Sequence, residues 1–185
     1  MKIFIAGPRV VKKLDKCIEE KLANVIKNNF TLLVGDATGV DKLTQQFMHR
    51  NRYSNVTVYA SQGKARNNLG NWEIENVTVG DNVKGFSFYS AKDLKMAEDA
   101  DYGFMIWNGN SKGTLNNIIN LTRLNKRVLV YLIPHKKFYV IETIEEAEKI
   151  AFACGGDAVT LFDKLNSKMY PARKESSIEQ LSIFN

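Results

Sequence analysis

The sequence predicts an α/β fold of three layers, with a mainly parallel sheet and helices on both of its faces. Three observations carry this reading. Short runs rich in Ile, Val, Leu and Phe alternate with stretches whose apolar residues recur every three or four positions. Strand and helix in alternation imply crossover connections and therefore parallel pairing. Several of the runs are continuously apolar, as strands are when helices cover both faces. Glycine turns recur where a run gives way to a helical pattern, the usual corner of a strand-to-helix unit.

Residues 2–6 form a first strand, closed by Gly7-Pro8. Leu14, Cys17, Ile18, Leu22, Val25 and Ile26 then mark an amphipathic helix that stops near Asn28-Asn29. The second strand covers residues 31–34, the next helix 40–49 and the third strand 56–60. Periodicity lapses over residues 61–89, which read as an insertion or lid pinned by Trp72 and Phe86, with a short edge strand at 74–79. Order resumes with a helix at 91–100, a strand at 102–107, a helix at 111–125 and a strand at 128–133. Thr143 and Glu146 have the spacing of a capping box that opens a helix to about residue 153. Gly155-Gly156 ends that helix, so residues 1–154 make one domain and residues 155–185 a polar C-terminal extension.

Composition bounds the function classes. The 185 residues, 44% hydrophobic and 25% charged, suit one soluble globular domain. No apolar run approaches the roughly 20 residues of a membrane span, and the opening apolar core of about four residues falls short of a signal peptide. Cys17 and Cys154, without a CxxC pair, read as buried thiols of a cytoplasmic protein. With only His49 and His135, no metal site is expected, and no cofactor pattern is present. The net charge of +6 suits an anionic ligand, nucleic acid or plain solubility alike.

The two glycine corners are Gly35-Asp36-Ala37-Thr38-Gly39-Val40-Asp41 and Trp107-Asn108-Gly109-Asn110-Ser111-Lys112-Gly113-Thr114. A helix N-terminus carries unpaired N–H groups and partial positive charge, so each corner reads as a seat for phosphate. Gly7-Pro8-Arg9 also follows a strand and should open on the same edge of the sheet. Asp36 and Asp41 can accept from ribose hydroxyls or cap the helix; Ser111, Lys112, Gly113 and Thr114 can hold phosphate; Arg9 adds a planar donor fork. Trp107 either stacks a base or closes the core. The pattern is neither the dinucleotide GxGxxG nor the P-loop GxxxxGK[ST].

Together these two segments resemble the SLOG superfamily, Rossmann-like proteins related to DNA-processing protein A and to the lysine-decarboxylase-like phosphoribohydrolases. Residues 5–8 are also similar to the first strand of nucleoside deoxyribosyltransferases. The resemblance, over roughly residues 1–133, implies a nucleotide or nucleotide-derived ligand. In the hydrolases and transferases of this group a Glu three residues past the Gly-Thr pair acts on the sugar; here that place holds Asn117, after Asn116. An amide supplies neither a nucleophile nor the negative charge for an oxocarbenium-like transition state. Asn117 can still hydrogen-bond a ribose, and Asp36 is the carboxylate left as a catalytic candidate. Lys92 and Asp93 sit on the helix before the fourth strand, where the sequence alone does not aim them.

Gln180-Leu181-Ser182-Ile183-Phe184 is similar to the peptide by which bacterial proteins dock on the replicative sliding clamp. Leu181, Ile183 and Phe184 would fill an apolar pocket, with Gln180 at its edge; the alternative is a tail folded back on the domain. Three functions therefore follow as expectations: nucleotide-ligand binding, cleavage or transfer at an N-glycosidic bond, and a DNA-associated accessory role through the clamp. A homo-oligomer stays open.

Overall fold

The computed structural model describes residues 1–61, 63, 65–80 and 85–169. Seven strands form one sheet: β1 (Lys2–Ala6), β2 (Thr31–Gly35), β3 (Val56–Ser61), β4 (Glu73–Val77), β5 (Tyr102–Trp107), β6 (Val128–Leu132) and β7 (Lys137–Ile141). Their order is β4-β3-β2-β1-β5-β6-β7, parallel throughout except for β7, which runs antiparallel to β6. The helices are α1 (Lys16–Lys27), α2 (Val40–Arg50), α3 (Phe86–Asp99), α4 (Lys112–Arg123), α5 (Ile144–Phe152) and α6 (Gly156–Met169).

Alternate residues of the buried strands feed two cores, one on each face. Ile3, Ile5, Leu32 and Val34 pack with Ile18 and Leu22 of α1 and with Val40 and Met48 of α2. Phe4, Leu33, Met105 and Trp107 pack against α3 to α6. The three expected layers are present. Among the described residues no helix is long and apolar enough to cross a membrane.

Three elements depart from the expectations. The helix before β5 starts at Phe86 and not at residue 91; its periodicity is weak because only Lys92, Met96 and Ala97 are buried on it. The chain after β6 turns through Ile133–His135, with Lys136 at φ 50°, and returns as the edge strand β7, of which only Ile141 is fully buried. Gly155, at φ 102°, redirects the chain, and α6 begins at Gly156 with Ala158, Phe162 and Leu165 buried at helical spacing. The first part of the 155–185 extension is therefore packed helix. The edge strand expected at 74–79 is found as β4, parallel to β3.

Within residues 61–89, the stretch after β3 is pinned to the sheet edge. Asn67 Nδ2 donates to Asp36 O at 2.7 Å, Gln45 Nε2 to Asn67 O at 3.2 Å, and Trp72 Nε1 to Tyr53 O at 2.9 Å. Phe86, by contrast, is 36% exposed and stands at the mouth of the cavity described next.

Candidate functional site

β1 and β5 are neighbours, yet β1 connects toward β2 on one side and β5 toward β6 on the other. That reversal opens a crevice beyond their carboxyl ends. A cavity of about 520 Å³ fills it, within the range of roughly 300–1,000 Å³ typical of small-ligand sites. All three predicted loops reach it: Gly7, Pro8 and Arg9 after β1, Ala37 and Asp41 after β2, and Asn108, Ser111, Lys112, Gly113, Thr114 and Asn117 after β5.

The corner after β5 is open. Gly109 takes φ 84°, and Asn108 Oδ1 accepts from Ser111 N at 2.9 Å and from Asn110 N at 3.3 Å, which fixes the turn. Ser111 is the N-cap but makes no side-chain cap; its hydroxyl accepts from Thr114 Oγ1 at 2.9 Å. The first N–H groups of α4, on Lys112, Gly113 and Thr114, thus have the unpaired character of an uncapped helix start. A Cβ added at Gly113 would meet no described atom within 4 Å, so packing does not explain this glycine. Arg9 and Lys112 add positive charge at the rim, where Arg9 lies 5.0 Å from the Tyr89 ring centre and Lys112 Nζ 3.8 Å from that of Phe86.

The corner after β2 is largely closed by the protein itself. Gly39 takes φ 72°, and a Cβ there would overlap the backbone of Pro8 and Arg9. Val40 N donates to Pro8 O at 3.3 Å, and Ala37 N to Asp41 Oδ2 at 3.2 Å. Two of the amides expected to bind phosphate are spent internally. Gly35 lies under Asp41 and Lys92, whose Nζ would stand 2.7 Å from an added Cβ. Gly35, Gly39 and Val40 shape this corner without lining the cavity.

Asp36 is not in the cavity. Arg66 holds it in a bidentate pair, Nη2 to Oδ1 at 2.6 Å and Nε to Oδ2 at 2.9 Å, and Arg66 N adds a third bond at 3.1 Å. Burial pushes the Asp36 carboxyl up, but the hydrogen bonds and charge of Arg66, with help from Lys92, hold it below the ordinary value. Trp107 is fully buried in the core and donates through Nε1 to Ser111 O at 3.2 Å, so it closes the core and braces the α4 turn. Gly109 also lies outside the lining, packed against Cys154.

The rest of the wall comes from α3. Phe86, Tyr89, Lys92, Asp93 and Met96 share one helical face and line the cavity. That three- and four-residue spacing was the available signal in the sequence, but charge in the buried positions obscures it. Lys92 is 4% exposed and donates to Asp93 Oδ1 at 2.9 Å; Asn117 Nδ2 donates to Asp93 Oδ2 at 3.4 Å. Burial lowers the affinity of Lys92 for its proton, yet Asp93 and Asp41 more than restore it, so the ammonium stays charged. Burial pushes Asp41 up to about 6, partly opposed by Lys92 and reinforced by Asp93 and Asp36. Among the described residues no cluster of three His, Cys, Asp or Glu side chains is placed to hold a metal. The clamp-like peptide at 180–184 lies outside the described residues.

No protein-family model matches the chain, and no curated protein matches its sequence. Among solved structures it is similar to DNA processing protein A from Helicobacter pylori, whose structure was described for its mode of binding single-stranded DNA. The TM-score is 0.55 at 13% identity, over 91% of this chain and 80% of that one. At that identity the likeness is one of fold: a Rossmann-like α/β architecture related to that of DNA processing protein A.

Proposed function

We propose that the cavity binds a nucleotide or nucleotide-derived ligand, with a phosphate on the N-terminus of α4. The observation that carries this reading is the uncapped helix start beside empty space at Gly113, with Arg9 and Lys112 at the same rim. Unpaired N–H groups, helix dipole and two cations act on the same anion. Exposed Tyr89 and Phe86 offer flat surfaces for a base.

The test is thermal unfolding with millimolar mono-, di- and cyclic nucleotides, NAD and ADP-ribose, since a ligand bound only by the native state raises Tm by mass action. Gly113→Ala sharpens it. Alanine is the better helix former by up to ~1 kcal/mol, so the free variant should melt at or above the wild-type temperature while losing most of the ligand-induced rise. A variant that keeps the full rise, or a wild type unmoved by every ligand, contradicts the proposal. A short single-stranded DNA belongs in the same series, because the fold is shared with a protein whose structure was described for binding it.

A second reading, cleavage at an N-glycosidic bond, is favoured by two carboxyl groups in one cavity: buried Asp41 and lysine-paired Asp93. Carboxyl groups in contrasting environments are the elements of acid-assisted glycoside cleavage. It predicts free base in the ligand-containing wells, abolished by Asp41→Asn and by Asp93→Asn. With Asp36 tied to Arg66, that residue leaves the set of candidates. Clamp docking through Gln180, Leu181, Ile183 and Phe184 is a separate proposal, tested by deleting residues 180–185 and measuring clamp binding.

A further inference from the structure

Resting on the anion seat proposed above, we infer that the cavity takes up a proton together with its anionic ligand, and that Asp41 is the group that accepts it. The charges around the cavity are unevenly shared. Two carboxylates line it, Asp41 in the first turn of α2 and Asp93 on α3, and Asp36 acts on Asp41 from the corner after β2. The cations close to them are Lys92 of α3 and Arg66 of the segment after β3. Both are committed elsewhere. Arg66 gives Asp36 three hydrogen bonds, and Lys92 donates to Asp93, to which Asn117 of α4 also donates. Arg9 and Lys112 lie out at the rim.

Asp41, 6% exposed, is left with one hydrogen bond among the described residues, from Ala37 N at 3.2 Å. A carboxylate taken out of water with so little bonding favours its neutral form. Burial accordingly raises its carboxyl to about 6, with Lys92 opposing and Asp93 and Asp36 reinforcing. An anion entering the same cavity adds like charge and raises the proton affinity of Asp41 further. By reciprocity, the protein protonated at Asp41 holds the anion more tightly by the same factor. The neighbours do not answer in its place: Lys92 is already charged, and Arg66 keeps the Asp36 carboxyl below its ordinary value. His49 and His135 do not line the cavity. The proton passes from solvent to the Asp41 carboxylate, and no bond of the ligand changes.

The experiment uses sulfate, whose charge is fixed between pH 5 and pH 7.5, because a phosphate monoester loses its own second proton at about pH 6. Sulfate is titrated into the full ¹⁵N-labelled chain at constant ionic strength, and binding is read from the Lys112, Gly113 and Thr114 amides. Affinity should rise fivefold or more from pH 7.5 to pH 5. In Asp41→Asn the rise should fall below twofold. A wild-type rise under fivefold, or a variant rise above twofold, overturns the inference while the anion seat stands. Should the variant not fold, the Asp41 carboxyl carbon of the ¹³C-labelled wild type gives the answer directly. Its titration midpoint should move up when sulfate replaces chloride, and an unmoved midpoint overturns the inference. If sulfate at tens of millimolar shifts none of the three amides at any pH, the seat and the inference fall together.

Discussion

Asp41 shows how one side chain serves fold and site at once. It caps the Ala37 amide, stands over Gly35 and lines the cavity. Burial raises its carboxyl from 3.8 to about 6, against the pull of Lys92. A carboxyl held above its unfolded value stabilises the fold when protonated. That contribution is complete below about 3.8 and is lost as pH rises through about 6. About two units at ~1.4 kcal/mol each amount to on the order of 3 kcal/mol. Between pH 4 and pH 7 the unfolding free energy of the wild type should therefore fall relative to that of Asp41→Asn by an amount of this order. Parallel denaturation curves across that range would contradict the assignment. At this scale the sequence was readable where chemistry is local: Asn108, Lys112, Gly113 and Thr114 follow a strand directly and stand where a strand-to-helix corner puts them. It was not readable for Asp36, whose role is set by Arg66, 30 positions away in the chain.

Elements were legible in proportion to their burial. β1, β2, β5 and β6 are apolar because both faces are covered, and each lies within about a residue of its expected place. α3 was the hard case, because its cavity face carries Lys92 and Asp93 where a core helix would carry apolar residues. α6 was missed for a different reason. Paired glycines read as a stop, whereas Gly155 supplies only the left-handed turn and Gly156 already belongs to the next helix. Phe162, 1% exposed and packed in the core beneath α4 and α5, gives the test. Phe162→Ala should cost roughly 3–5 kcal/mol in urea unfolding; a loss below about 1 kcal/mol would mean that α6 is not part of the cooperative fold.

For the whole molecule, strand order decides where a ligand can sit. The reversal between β1 and β5 gathers three loops, one face of α3 and the first turns of α4 around one cavity. The expected convergence of both glycine corners is there, but their roles differ: the first is filled by Pro8, Asp41 and Lys92, and the second is left open. No local feature of the sequence separates the two, since what closes the first corner is a neighbouring loop and a distant helix. The central claim is that the open helix start at Lys112, Gly113 and Thr114 receives the phosphate. A ¹H–¹⁵N titration of the labelled protein with a nucleoside 5′-monophosphate tests it most directly. The account predicts large, saturable shifts of those three amide signals, with the internally bonded amides of Ala37 and Val40 moving far less. Unmoved α4 amides, with shifts at Ala37 and Val40 instead, would contradict it.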